Sequence, residues 1–273
     1  GPQMGVAQCT GRWIRLAILF LSNGFCRLLG GVAGLLIEPS ATSAMAGLAI
    51  GAWLPVITGA GLLNPTGAAD VHSRKPLIAE TIYSAATLLA YFVFSNVDAL
   101  IARGGFSAHD SGLYASGLIL TKSTLFLPQF VSVVFFPSLA RDSSHRTRLR
   151  AVSLVGLLGL LVVAGCLLLP DLALILVGGD QYAEILNQLW LFALSGTFLA
   201  IVYLLVFDAL ARRSTGAAVL LWIASGVVFA IAWFWTIGIV GLITTMASVA
   251  AIVSLILLVW PVLKAKRPAE TSG

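Results

Sequence analysis

Two long apolar segments, Leu77–Ala102 and Gly112–Ala140, are joined only by the short polar stretch RGGFSAHDS. A helix needs roughly 20 residues to cross a hydrocarbon core of about 30 Å, and each segment exceeds that length. A chain built on such a pair is predicted to form a transmembrane hairpin. Similar runs recur along the sequence, at Trp13–Ile37, Ala44–Leu63, Ala151–Val177, Ile185–Ala211, Thr215–Trp235 and Ile239–Leu263. The expectation is an all-α integral membrane protein of about eight transmembrane helices. Composition agrees: 59% of the 273 residues are hydrophobic and 10% are charged, where a soluble domain carries about 25% charged residues.

The net charge of +5 does not point to nucleic acid, because the basic residues cluster between apolar spans. One set of connections holds Arg12, Arg15, Arg74, Lys75, Arg141, Arg146, Arg148, Arg150, Arg212, Arg213, Lys264, Lys266 and Arg267, whereas the opposite loops hold Arg103 alone. The positive-inside rule then puts both termini in the cytoplasm, with the basic segment Arg141–Arg150 fixing orientation or meeting anionic head groups. Cys9, Cys26 and Cys166 lack metal or redox spacing, and His72, His109 and His145 fall in predicted loops. No cofactor is expected. A membrane glycosyltransferase or acyltransferase needs an acidic or histidine-bearing catalytic loop, and only His109 and Asp110 offer themselves, without partners, so the chain is not read as an enzyme.

Polar residues on the third span follow a helical face. Glu80, Ser84, Thr87, Tyr91, Ser95 and Asp98 are spaced by four, three, four, four and three residues. Such a stripe cannot face acyl chains without cost and must look into a bundle interior or a water-filled cavity. Asn96 lies beside it. On the fourth span Lys122 and Gln129 share a face, and Pro128 removes a backbone donor next to Gln129. Arg27 sits near the middle of the first span, where a lone cation costs about 3 kcal/mol on insertion scales. Arg27 and Lys122 are each read either as members of a buried ion pair, Asp98 being one partner, or as cations lining a substrate or ion path. Asp98 is alternatively interfacial and Glu80 solvated. Asp208 and Arg212, four residues apart, suit an intrahelical ion pair. Gly30, Gly34, Gly47 and Gly51 form small-xxx-small pairs that let two helices approach closely.

The run SNVDALIARGGFSAHDSGLYASGLILTKSTLFLPQFVSVVFFPSLAR resembles the bacterial polysaccharide-export flippases of the multidrug/oligosaccharidyl-lipid/polysaccharide superfamily. The resemblance is carried by Asn96 and Asp98, by Gly112 and Tyr114, and by Phe136, Pro137 and Leu139. It implies that residues 77–273 are a six-helix C-terminal lobe and that residues 1–76 hold the last two helices of an N-terminal lobe, about four further helices being absent. It also implies translocation of an undecaprenyl-diphosphate-linked glycan across the bacterial inner membrane by alternating access. A polysaccharide polymerase or a missing N-terminal half would be the protein partner, and membrane lipids the surroundings. On that reading Arg27 and Lys122 attract phosphate or glycan, and Asp98, Tyr91, Asn96, Gln129, Ser84, Thr87, Ser95 and Glu80 line the path. A drug/cation antiporter, a lipid II flippase and a non-transporting fragment are the alternatives.

Overall fold

The computed structural model describes residues 13–53, 74–141, 145–212, 216–235 and 238–265, and among these the chain is entirely helical. It divides into two compact units, Gly1–Ser73 and Arg74–Gly273. Among the described residues, five helices are long and apolar enough to cross a bilayer, and a bent pair taken as one span makes six. The protein is therefore membrane-embedded and multi-pass. Of the eight expected spans, Ala44–Leu63 extends beyond the described residues.

In the first unit, α1 (Trp13–Ile37) and α2 (Ala41–Gly51) form a tight antiparallel pair. The residue before Pro39 is steered away from helical geometry, which ends α1. Ser40 then caps α2 by accepting a hydrogen bond from the Ser43 amide at 3.2 Å. The four glycines form the seam. A Cβ added at Gly47 would overlap the Gly30 carbonyl oxygen, one at Gly34 the Ser43 carbonyl, and one at Gly51 the Cys26 carbonyl. With lipid as apolar as leucine, such close packing is what holds two membrane helices together. Gly47→Leu is expected to lower the unfolding midpoint in detergent, at a cost of about 1–3 kcal/mol. Gly24→Leu is the control, since an added Cβ there meets nothing within 4 Å, and it should leave the midpoint unchanged.

The second unit comprises α3 (Arg74–Phe94), α4 (Val97–Gly105), α5 (Ala108–Arg141), α6 (His145–Leu168), α7 (Pro170–Val177), α8 (Leu189–Ala211), α9 (Gly216–Phe234) and α10 (Ile239–Ala265). A 3₁₀ segment, Asp180–Gln188, leads into α8. Helix α8 is the axis of this unit and packs against α3, α5, α6 and α10. Small residues permit the approach. A Cβ at Gly196 would meet the Thr121 backbone of α5 at 2.6 Å, and one at Gly117 would meet the Phe192 ring at 2.5 Å.

Three expected spans differ in detail. The single helix Leu77–Ala102 is broken at Ser95–Asn96 into α3 and α4, bent by 41°. The span Ala151–Val177 ends at Leu168, because Pro170 has no N–H to donate and instead opens α7. Ile185–Ala211 begins as 3₁₀ turns, preceded by Gly178 and Gly179 at positive φ, a conformation glycine adopts without steric cost. His109 and His145 stand in first helical turns, α5 and α6, and not in loops.

Candidate functional site

The break between α3 and α4 is written in the sequence Ser95-Asn96-Val97-Asp98. Ser, Asn and Asp side chains compete with the helical ladder for backbone partners, and here each of the three does so. The Asn96 amide bonds the Val93 carbonyl at 3.1 Å, a tightened turn. The Asn96 Nδ2 and the Ser95 hydroxyl both donate to the Phe92 carbonyl, at 2.7 and 3.2 Å. One turn on, the Ala99 amide donates to Asp98 Oδ1 at 2.9 Å. In an unbroken helix that amide would serve the Ser95 carbonyl. The Ser95 carbonyl instead accepts a hydrogen bond from Lys122 Nζ of α5 at 2.6 Å.

Asp98 is 1% exposed and its second oxygen accepts the Tyr114 hydroxyl at 2.9 Å. Tyr114 is fully buried and fixed by edge contacts to Phe106 and Phe192, with ring centroids 6.1 and 5.3 Å away. Lys122 and Asp98 lie within electrostatic reach of one another. The site is thus a buried carboxylate and a half-buried ammonium on two neighbouring helices, each bonded to the break. A broken membrane helix with a carboxylate at its start can hold and release a proton or a small cation, because the groups that bind the charge also set the local backbone geometry. A cavity of about 210 Å³ between α4 and α5 is lined in part by Arg103, Ser111 and Tyr114.

Below the break, the stripe runs into the bundle. Thr87, Tyr91 and Ser95 are buried, Ser84 and Asn96 half-buried, and Glu80 exposed. Tyr91 donates to the Leu199 carbonyl of α8 at 3.3 Å and packs against Tyr203 at 5.3 Å. Thr87 donates back to the Tyr83 carbonyl at 3.0 Å. The structure brings together Ser95, Asn96, Asp98 and Lys122 and places Tyr91 and Thr87 on the adjoining buried face of α3. Arg27 belongs to the first unit, where it is exposed on α1. The side chain of Gln129 lies outside the described residues.

Sequence reasoning did not place Tyr114 in the site. The available signal was its position two helical turns before Lys122 on the same span. It also took Arg148 for one of a run of orienting surface charges. Arg148 is instead 2% exposed, bonded through Nη1 to Asp208 at 3.4 Å and through Nη2 to the Leu258 carbonyl at 3.0 Å. Asp208 also binds Arg212 Nε at 3.0 Å, the expected intrahelical pair.

At the other end of the unit, His109 Nε2 lies 3.1 Å from Glu184, and Asp110 caps back through Ser107 at 2.8 Å. The pair borders a cavity of about 460 Å³ lined in part by Asp110, Glu184 and Gln188. His109 precedes the apolar part of α5. Its hydrogen bond to Glu184, together with that carboxylate's charge, raises the imidazole above its ordinary value of 6.5. A raised folded-state value means the contribution to stability is fully present below the unfolded value and disappears as pH rises through the folded one. The difference in unfolding midpoint between wild type and Glu184→Gln should therefore be small, present at pH 5.5, and absent at pH 9. Among the described residues no group of three His, Cys, Asp or Glu side chains is placed to hold a metal. No protein-family profile, curated protein or solved structure matches this chain.

Proposed function

We propose that this protein moves a lipid-linked oligosaccharide or polysaccharide precursor, an undecaprenyl-diphosphate-linked glycan, across the bacterial inner membrane by alternating access. The observation that carries the reading is the α3–α4 break, with Asp98 buried at its start and Lys122 on its freed carbonyl. Discontinuous helices with an ionisable group at the break are the means by which secondary transporters couple an ion to a change of shape. A buried hydroxyl-bearing face of α3, formed by Thr87, Tyr91 and Ser95, continues from it into the bundle. The resemblance of the same segment to polysaccharide-export flippases supplies the substrate class.

A second reading, a drug/cation antiporter, is favoured by one feature. The most deeply buried ionisable group at the break is the Asp98 carboxyl rather than a basic side chain. The two readings separate in proteoliposomes of the full chain. A polyprenyl-diphosphate-linked oligosaccharide carrying a dithionite-quenchable fluorophore is loaded into the inner leaflet, and an ion gradient is imposed. Glycolipid movement to the outer leaflet, faster with the gradient than without, is the expected result. Movement no faster than in protein-free liposomes would overturn the flippase reading, and gradient-driven extrusion of an organic cation in its place would establish the antiporter.

A further inference from the structure

The α3–α4 break holds a seat for a cation, and the protein fills that seat itself. The Ala99 amide has turned to Asp98 Oδ1 at 2.9 Å, so the Ser95 carbonyl, four residues earlier, has lost its helical donor. A carbonyl freed in this way, with a carboxylate close by, is what interrupted membrane helices use to bind sodium or a proton. Here the carbonyl receives Lys122 Nζ of α5 at 2.6 Å, and that ammonium lies within electrostatic reach of Asp98. Lys122 is thus a tethered cation standing where a free one would bind.

The remaining oxygens at the break are also engaged. Asp98 Oδ2 accepts the Tyr114 hydroxyl at 2.9 Å. The Ser95 hydroxyl accepts from Asn96 Nδ2 at 3.2 Å while donating to the Phe92 carbonyl at 3.2 Å. A hard metal ion takes about six oxygens free of donor hydrogens, and each of these oxygens already faces one. A proton needs a single lone pair. A carboxylate has about four acceptor positions, and Asp98 keeps room for a proton beside its two bonds. The neighbouring helices bring no second carboxylate to this level. Helix α5 contributes Lys122 and Tyr114, and Arg103 of α4 is exposed. Helix α9 has no titratable side chain, α10 has only Lys264 near its end, and α8 has Tyr203, packed on Tyr91, and Asp208 near its C-terminus.

The geometry points to a proton-selective site, in which Lys122 occupies the cation seat of the broken helix and Asp98 exchanges a proton and no metal ion. Lys122 is then the specificity-determining residue. This rests on the reading of the break as the ion-responsive element and is independent of what the protein transports.

The test is thermal unfolding of the full chain in neutral detergent, with sodium chloride compared against the same concentration of choline chloride. The wild type should give the same midpoint in both. Lys122→Ala empties the seat and leaves the Ser95 carbonyl and the Asp98 carboxylate beside it, so sodium should raise its midpoint by about 2–4 °C over choline. Lys122→Ala/Asp98→Asn should lose that response. A sodium-specific rise in the wild type would overturn the site, as would a folded Lys122→Ala indifferent to sodium or a response that survives in the double variant. Infrared difference spectra of the wild type supply the second measurement. Acidification should add a protonated-carboxyl band that Asp98→Asn lacks, and identical spectra for the two proteins would overturn the proton assignment. If Lys122→Ala fails to fold, the wild-type salt comparison and these spectra decide. Because neither measurement involves glycolipid, a protein that fails to move glycolipid in proteoliposomes can still pass both.

Discussion

Asp208→Ala is expected to destabilise the protein by about 3–5 kcal/mol, the cost of leaving a buried ion without its partner. Arg148 is nearly inaccessible, and among the described residues its Nε has no partner and only Asp208 and the Leu258 carbonyl receive its charge. Removing the carboxylate strands that guanidinium inside the helix bundle, between α6, α8 and α10. Arg148→Met should cost much less, because Asp208 keeps Arg212 at 3.0 Å and an unbranched apolar side chain occupies part of the vacated volume. Arg148→Met/Asp208→Leu should recover most of the loss, since replacing a buried pair with apolar groups of similar size is often neutral or stabilising. Unfolding in a graded detergent mixture measures all three. An Asp208→Ala variant as stable as wild type would mean that Arg148 reaches water or a lipid phosphate instead.

The same residues show where the sequence is legible and where it is not. The Asp208–Arg212 pair could be read because both ends lie on one helix, four residues apart. Arg148 could not, since its partners are 60 and 110 positions away and nothing local distinguishes it from Arg146 and Arg150, which are exposed. The polar stripe on the third span was legible for a similar local reason. Its three-and-four spacing put Thr87, Tyr91, Ser95 and Asp98 on one buried face. Reading them as one straight helix overlooked the competition of Ser95, Asn96 and Asp98 for backbone partners, although all three stood in the sequence. The glycine pairs of the first unit were readable because close helix contact demands small residues at a fixed period. The partner of Lys122 was not, since it is a backbone carbonyl made available only by the break itself.

That break yields the second large effect. Asp98→Asn keeps one oxygen to accept from the Ala99 amide, and its Nδ2 can donate to the Tyr114 oxygen in place of the bond that hydroxyl gave, so the bend and the unfolding midpoint should change little, within about 1 kcal/mol. Its charge and its capacity to exchange a proton are gone, and glycolipid movement in the proteoliposome assay should lose its dependence on the ion gradient. Lys122→Met acts differently. It orphans the Ser95 carbonyl, which has lost its helical donor to Asp98, and an unsatisfied buried carbonyl costs about 1–3 kcal/mol. It also leaves Asp98 without its nearest cation. If the two groups act as one unit, Asp98→Asn/Lys122→Met will be destabilised by less than the sum of the single changes, because neutralising the carboxylate removes its need for the ammonium. Additivity within about 0.5 kcal/mol would show instead that Lys122 serves only the backbone. In that case gradient dependence should survive Lys122→Met and vanish only with Asp98, leaving the carboxylate and its tyrosine as the whole of the ion-responsive element.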